Sequence, residues 1–222
     1  MIDQIDPVSF VEAVRPALAS KDLQRLLKTC KSQWTAAQII SLLSSKCCDA
    51  RKCAALALSL VGCPACLEPL SKQLKDPDPM VNQMAEHAMW AIWFRCGSPE
   101  ANQLVQRGSD LMSRREFDQA IEHFNHAIEI SPKFAEAYNQ RGIAWFLMEN
   151  FDRSIEDCQQ TVELNPDHFG AWAGMGHCHA HEGRVCQAVK CYRRALQINP
   201  HLSGAKEAMT ELGPCLDDKE EN

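Results

Sequence analysis

The chain has 222 residues, of which 45% are hydrophobic and 23% charged, and it carries a net charge of −6. With 10 glycines and 11 prolines this is a globular composition, large enough for one or two domains, and it excludes a collagen-like or low-complexity chain. No dense run of Lys and Arg is present, so we expect no nucleic-acid partner. No apolar stretch reaches the roughly 20 residues of a membrane helix, so we expect no membrane partner either.

The start of the chain and its cysteines bear on the cellular compartment. Met1 to Pro7 lack the basic and apolar regions of a secretory signal. Twelve cysteines without such a signal favour a reducing compartment, where most cysteines are buried thiols. We therefore expect a cytoplasmic protein.

Residues 8–96 carry helical patterns separated by short breakers, with no alternating β pattern. Asp49 is a candidate N-cap for an apolar run that Gly62 ends, and three leucines spaced by three and four residues then mark a short amphipathic helix. Asp78, which a proline follows, is the N-cap expected for another helix running to Phe94.

The stretches 49–62 and 67–79 resemble a HEAT repeat of the short bacterial kind, and the resemblance covers residues 36–96. Asn82 stands where that family often has a basic residue, so the resemblance implies an incomplete Asp–Arg ladder. We expect a HEAT-like helical domain over residues 1–97.

The second half of the chain repeats itself every 34 residues. A glycine, a small residue, a large residue and a proline each recur with this period, and such a period predicts two helices per unit with neighbouring units stacked. The glycine lets the two helices of a unit approach closely, and the proline ends the second helix. The four series are Gly108, Gly142 and Gly176; Ala120, Ser154 and Ala188; Phe124, Cys158 and Tyr192; and Pro132, Pro166 and Pro200.

This pattern resembles the tetratricopeptide repeat. The resemblance implies an all-α fold, a right-handed α-α superhelix in which HEAT-like helices precede three tetratricopeptide units and a capping helix. The middle repeat departs from the family pattern with Ser154, Cys158 and Thr161 in place of Ala, an aromatic residue and Ala. The expected domain covers residues 98–213, with repeats at 101–134, 135–168 and 169–202, a capping helix at 203–213, and an acidic disordered tail at 214–222.

In arrays of this family the first helix of each repeat lines a concave groove that binds a partner peptide or protein. The resemblance therefore implies a mixed polar and apolar partner-binding groove, in which Ile143 and Phe146 form an apolar patch. The positions it places there are Asn102, Val105, Gln106, Ser109, Met112, Glu136, Asn139, Gln140, Ile143, Phe146, Ala173, His177 and His181.

Tetratricopeptide proteins that grip the acidic C-terminus of heat-shock chaperones use Lys, Asn and Arg to clamp the terminal carboxylates. Carboxylate capture needs charge-assisted donors, and the matching positions here hold no cation. The sequence therefore predicts that this chaperone clamp is absent; the positions are Val105, Ser109, Gln140, Gly170 and Gly174.

Two motifs have the residue types of metal or redox sites. Cys63 and Cys66 form a Cys-x-x-Cys motif, but the flanks are helical and no second pair exists in the chain, so two small residues in an inter-helix turn are favoured. His177 and His181 lie one helical turn apart on one face, yet two ligands leave the coordination of zinc half empty. We expect a polar pair in the groove, and a metal-binding protein is kept as an alternative.

Together these features predict a protein–protein interaction scaffold or adaptor that performs no catalysis and needs no cofactor. Short HEAT repeats also occur in lyases that attach bilin pigments to cysteines, so a bilin-lyase-like HEAT-repeat protein is a second alternative. The partner stays unidentified at this level, because fold alone does not specify function.

Overall fold

The computed structural model describes residues 5–213, and this part of the chain contains thirteen α-helices and no β-strand. The predicted all-α fold is confirmed. The chain forms two compact units, the first ending at Trp93 and the second beginning at Phe94. None of the helices between residues 5 and 213 is long and apolar enough to span a bilayer.

The first unit contains six α-helices and two short 3-10 turns, Leu42–Ser44 and Pro64–Cys66. The extensive contact between α4 and α6 builds its core, which includes Leu58 and Met89. The helices are α1 (Pro7–Ala19), α2 (Leu23–Gln33), α3 (Ala36–Ser41), α4 (Cys48–Val61), α5 (Leu67–Gln73) and α6 (Pro79–Trp93).

The start of α4 differs from the sequence prediction. Its N-cap is Cys47, so Asp49 lies inside the first turn rather than at the cap. A carboxylate in the first turn still stabilises the helix, because the unpaired backbone N–H groups there carry partial positive charge. The helix ends before Gly62, as predicted.

A polar network joins α4 to the turn before α6. Arg51 pairs with Asp76 through two contacts of 2.7 and 3.0 Å, and Lys52 lies 3.0 Å from Asp78. Asn82 donates hydrogen bonds to the backbone oxygens of Gln73 and Asp76. Asn82, at the position where HEAT repeats often have a basic residue, therefore holds the turn through hydrogen bonds from a neutral amide.

The second unit contains three helix pairs followed by a closing helix. The two helices of each pair pack closely together, and each pair also contacts the next one along the chain. The helices are α7 (Pro99–Ser113), α8 (Phe117–Ile130), α9 (Ala135–Leu147), α10 (Phe151–Leu164), α11 (Phe169–His181), α12 (Val185–Ile198) and α13 (Ser203–Leu212).

The turns within the three pairs repeat in detail. Each is three residues long and carries its left-handed residue at one repeat position: Arg115 (φ 63°), Glu149 (φ 60°) and Gly183 (φ 73°). The second helix of each pair ends two residues before the recurring proline, which supplies no amide hydrogen to continue it. These boundaries agree with the helix pairs predicted from the period.

Candidate functional site

A pocket of about 210 Å³ opens between α9 and α11, with α10 as its floor. We call it the α9–α11 pocket. It brings together five predicted groove residues from two different repeats, namely Asn139, Ile143, Phe146, Ala173 and His177. The complete lining is Asn139, Ile143, Phe146, Ser154, Cys158, Gly170, Ala173, Gly174 and His177.

The floor of the pocket is uncharged. Cys158 is 2% exposed, and burial raises the pKa of its thiol far above the usual range, so the thiol stays protonated at neutral pH. A buried neutral thiol behaves as a small apolar group rather than as a nucleophile. Beside it, the Ser154 hydroxyl lies 3.2 Å from the thiol of Cys178, which donates to it.

His177 belongs to an aromatic cluster at the edge of the pocket. Its Nδ1 lies 2.8 Å from the Tyr192 hydroxyl, and its ring contacts those of Tyr192 and Phe146 at centroid distances of 5.2 and 6.4 Å. Burial, and to a smaller extent the neighbouring His181, lowers the pKa of His177. The imidazole is therefore neutral at pH 7, and it presents an aromatic surface to the pocket.

His181 lies outside the pocket lining. Its ring stacks on Phe151 at 5.1 Å with an interplanar angle of 18°, and it meets Phe146 edge-on at 5.4 Å. Among residues 5–213, no group of three His, Cys, Asp or Glu side chains is placed to hold a metal ion. The contacts of His177 and His181 are those of an aromatic cluster.

Three apolar side chains are exposed on α9 and just after it. Ile143 is 38% exposed and also lines the pocket, while Leu147 and Met148 are 48% and 38% exposed. We call these three residues the α9 patch. Exposed apolar side chains next to an apolar pocket are typical of a surface that another protein covers.

The predicted groove residues of the first repeat do not join this pocket. Val105 is fully buried in the hydrophobic core of the unit, so it is not available to a partner, and Met112 packs against the same core. The side-chain amide of Asn102 makes two hydrogen bonds with the backbone of Gly97. It accepts from the Gly97 N–H at 3.0 Å and donates to the Gly97 carbonyl oxygen at 3.2 Å. The side chain of Ser109 donates to the carbonyl oxygen of Val105, and that of Gln106 to Asp110.

Glu136, another predicted groove residue, is also buried. Its Oε1 accepts hydrogen bonds from Asn139 and Gln140 at 3.1 and 2.6 Å, and its Oε2 lies 3.0 Å from Nε2 of His168. His168 Nδ1 accepts from the backbone N–H of Ala171, so the ring proton is on Nε2 and is donated to the carboxylate. Glu136 thus positions Asn139 and Gln140 instead of facing a ligand.

Cys63 and Cys66 lie in the first unit and are not part of the lining of the α9–α11 pocket. The backbone N–H of Cys63 lies 3.4 Å from the sulfur of Cys66, and both are free thiols, the first exposed and the second buried. Cys63 directly precedes the 3-10 turn Pro64–Cys66 and Cys66 is its last residue; this turn between α4 and α5 is the inter-helix turn expected there.

Ser154 and Cys158 line the pocket but were not among the predicted site residues. The sequence did hold a signal for them, because both are departures of the middle repeat from the family pattern. Cys158 is smaller than Phe124 and Tyr192 at the same repeat position, and such a residue marks a place where space is left unfilled.

Profiles described as tetratricopeptide repeat, or TPR, match residues 108–149, 135–168 and 169–202 of the chain. Residues 108–202 are tetratricopeptide repeats. The chain is 29% identical to a TPR repeat-containing protein of Rhizobium etli over 151 residues, which are 68% of this chain and 74% of the relative. It is 33% identical to anaphase-promoting complex subunit 3 of Schizosaccharomyces pombe over 90 residues, which are 40% of this chain and only 14% of that protein.

Solved structures of TPR domains have the same fold as the second unit. The Sgt2 TPR domain from Aspergillus fumigatus superposes with a TM-score of 0.51 at 19% identity, covering 57% of this chain and 92% of that one. The first TPR domain of Spaghetti (RPAP3), bound to the HSP90 peptide SRMEEVD, has a TM-score of 0.51 at 23% identity and covers 52% of this chain and 91% of that one.

Proposed function

We propose that the protein is an adaptor that binds a peptide segment of a partner protein at the α9–α11 pocket and the adjoining α9 patch. One observation carries the proposal: a pocket with a neutral floor opens between two TPR units beside the exposed Ile143. Its lining offers shape, apolar surface and a few hydrogen-bonding groups. The thiol of Cys158 in its floor stays protonated at pH 7 and is therefore not a nucleophile, so binding without catalysis is the role that fits.

The related TPR domains support this proposal at the level of the fold. The RPAP3 structure was determined with a bound peptide, so this architecture accommodates a peptide ligand. In stacked helical repeats the surface formed by several units is long enough for a peptide.

We propose that the partner is not the carboxylate end of a heat-shock chaperone. None of the five clamp positions named from the sequence carries a cation. Val105 is buried, and Gln140 donates to Glu136, while Gly170 and Gly174 have no side chain to offer. Carboxylates need charge-assisted donors to repay their desolvation.

We further propose that residues 36–96 form HEAT-like repeats in a domain spanning 1–97, and that the protein is bacterial and cytoplasmic. The buried pairing of Arg51 with Asp76 supports a repeat of this kind in α4–α6. The relative from Rhizobium etli supports a bacterial source.

The adaptor proposal is tested by selecting a displayed library of random heptapeptides on the full-length protein. We expect enriched peptides that bind the wild type and bind Ile143→Glu at least about 10-fold more weakly, since a carboxylate would have to be desolvated at the contact. Ile130→Glu is the matched control, because Ile130 is 42% exposed but lies on α8 and outside the pocket lining.

Equal loss of binding in the two variants, or none in Ile143→Glu, would contradict the proposed location. Binding of the synthetic peptide SRMEEVD, measured by fluorescence anisotropy, tests whether a chaperone clamp is present. We expect no saturable binding of that peptide, and tight binding would show that a clamp exists here.

A further inference from the structure

The α9–α11 pocket exists because the middle repeat lacks a ring that the other two repeats possess. At one repeat position the first and third repeats have Phe124 and Tyr192, both fully buried, and the middle repeat has Cys158. A Cβ built on Gly108 would lie 2.4 Å from the Phe124 ring, and one built on Gly176 would lie 2.6 Å from the Tyr192 ring. In the first and third repeats a ring therefore fills the space against the glycine.

In the middle repeat a single sulfur atom takes the place of that ring. A Cβ built on Gly142 would lie 3.4 Å from the sulfur of Cys158, and one built on Gly174 would lie 3.2 Å from it. The sulfur therefore sits between α9 and α11, and the volume that a ring would fill beyond it is left open as the pocket.

Two further departures open the mouth of the pocket. Gly174 occupies the repeat position of Gln106 and Gln140, and Gly170 occupies that of Asn102 and Glu136. In the first two repeats these two positions carry polar side chains, whereas in the third repeat both are glycine. Three residues that are smaller than their counterparts, at 158, 170 and 174, thus line one opening.

The size and charge of the opening define what fits. Its volume of about 210 Å³ is below the roughly 300–1,000 Å³ of pockets for drug-sized ligands, so it suits a single large side chain. The ring of Phe146 and the imidazole of His177 line it, and aromatic rings favour edge-to-face and offset contacts with another ring. No residue of the lining is charged at pH 7, which disfavours an acidic or basic side chain.

We propose that the α9–α11 pocket is a slot for one aromatic side chain of the partner, which supplies in trans the ring that the middle repeat lacks. The inference rests on the adaptor function and narrows it to peptides that carry Phe, Tyr or Trp. The chain's own residues 214–222 are a poor occupant, because they contain four acidic residues and no aromatic one.

The test uses the heptapeptide selection with full-length protein and a variant that fills the slot from within. Cys158→Phe gives the middle repeat the residue that the first repeat already has. We expect enriched wild-type binders to share one aromatic position, and replacement of that residue by Ala to weaken binding about 10- to 100-fold. The Cys158→Phe protein should bind the parent peptide more weakly by a similar factor. The melting temperature of this variant should not be lower than that of the wild type.

A second variant keeps the test decisive if Cys158→Phe folds poorly. Gly174→Gln places the side chain of the other two repeats over the mouth, and we expect it to weaken the same peptides at least about 10-fold. Gly204→Gln on α13 is the matched control, because a Cβ built on Gly204 would have no other atom within 4 Å. It should bind like the wild type.

Each other outcome has a definite meaning. Enriched peptides without a shared aromatic position, or undiminished binding by a folded Cys158→Phe or Gly174→Gln protein, would overturn the slot and leave the adaptor function standing. Failure to enrich any peptide on the wild type would count against both. A change in the Ile143 methyl resonance on deletion of residues 214–222 would identify the chain's own end as the occupant and would also overturn the slot.

Discussion

The glycine that recurs every 34 residues has a different neighbour in the middle repeat, and this difference gives a prediction at the scale of one residue. We expect Gly108→Ala and Gly176→Ala each to lower the free energy of unfolding by about 1–2 kcal/mol, because the added methyl group would overlap a fully buried ring. The overlap outweighs the gain of up to about 1 kcal/mol that Ala brings to a helix.

Gly142→Ala is the control for this series, since it makes the same change at the same repeat position. Its methyl group would lie 3.3 Å from Cβ of Asp157 and 3.4 Å from the Cys158 sulfur, so only small shifts are needed. Urea unfolding should place it within about 0.5 kcal/mol of the wild type. If all three variants were equally destabilised, the middle repeat would not be under-filled.

The second residue-scale prediction concerns His177. Burial and the nearby His181 lower its pKa, so the folded protein binds fewer protons than the unfolded chain as the pH falls through the ordinary histidine value near 6.5. Stability contributed by neutral His177 is therefore fully present above that value and is lost on acidification, by up to about 1.4 kcal/mol per unit of pKa difference.

The measurement is a proton NMR titration of the His177 ring, with urea unfolding at pH 7.5 and 5.5. We expect a His177 pKa below 6.5 that rises in His181→Gln, because a like charge is removed. His177→Asn should lose less stability than the wild type over the same pH interval. A His177 pKa at or above 6.5 would show that the ring is not buried as described.

At the scale of helices, the Glu136–His168 hydrogen bond fixes α9 to the start of α11, which are the two walls of the pocket. Both side chains are fully buried, and the carboxylate accepts three hydrogen bonds. Removing either partner leaves buried polar groups unsatisfied, so Glu136→Ala and His168→Ala should each cost about 2–3 kcal/mol of unfolding free energy.

A double-mutant cycle measured by urea unfolding isolates this link. The loss of unfolding free energy in the double variant should be smaller than the sum of the two single losses by at least about 1 kcal/mol. The reason is that the second substitution removes a group that has already lost its partner. Gln106→Ala, which breaks only an exposed hydrogen bond to Asp110, should cost less than about 0.5 kcal/mol. Strict additivity would mean that the two residues act independently.

Helix positions were predictable from the sequence because the period constrains them twice, through the packing glycine and through the terminating proline. It was harder to predict which of the expected groove side chains would be buried instead. Val105 has the repeat position of a groove residue, yet it is fully buried, and Glu136 pairs with a histidine 32 residues away that no local pattern links to it. The pocket itself depends on absent atoms at 158, 170 and 174, which only comparison between the repeats can reveal.

At the scale of the whole molecule, the division between Trp93 and Phe94 separates two units that each have an internal core. Residues 94–222 make a unit of ordinary domain size, and its helix pairs bury apolar surface against one another. We expect this fragment alone to give a helical circular dichroism spectrum, to unfold cooperatively, and to bind selected peptides within about 3-fold of the full-length affinity.

The closing helix provides the matched comparison for this fragment. In α13, Ala205, Met209 and Leu212 pack with Tyr192 and Ala188 of the last repeat, covering apolar surface that would otherwise face water. A fragment of residues 94–202 should therefore melt at a lower temperature than 94–222 and self-associate more in analytical ultracentrifugation, since terminal units of stacked repeats need a polar outer face. If 94–222 were unfolded while the full chain was folded, the second unit would depend on the first, and the peptide-binding surface would have to be sought in the intact protein.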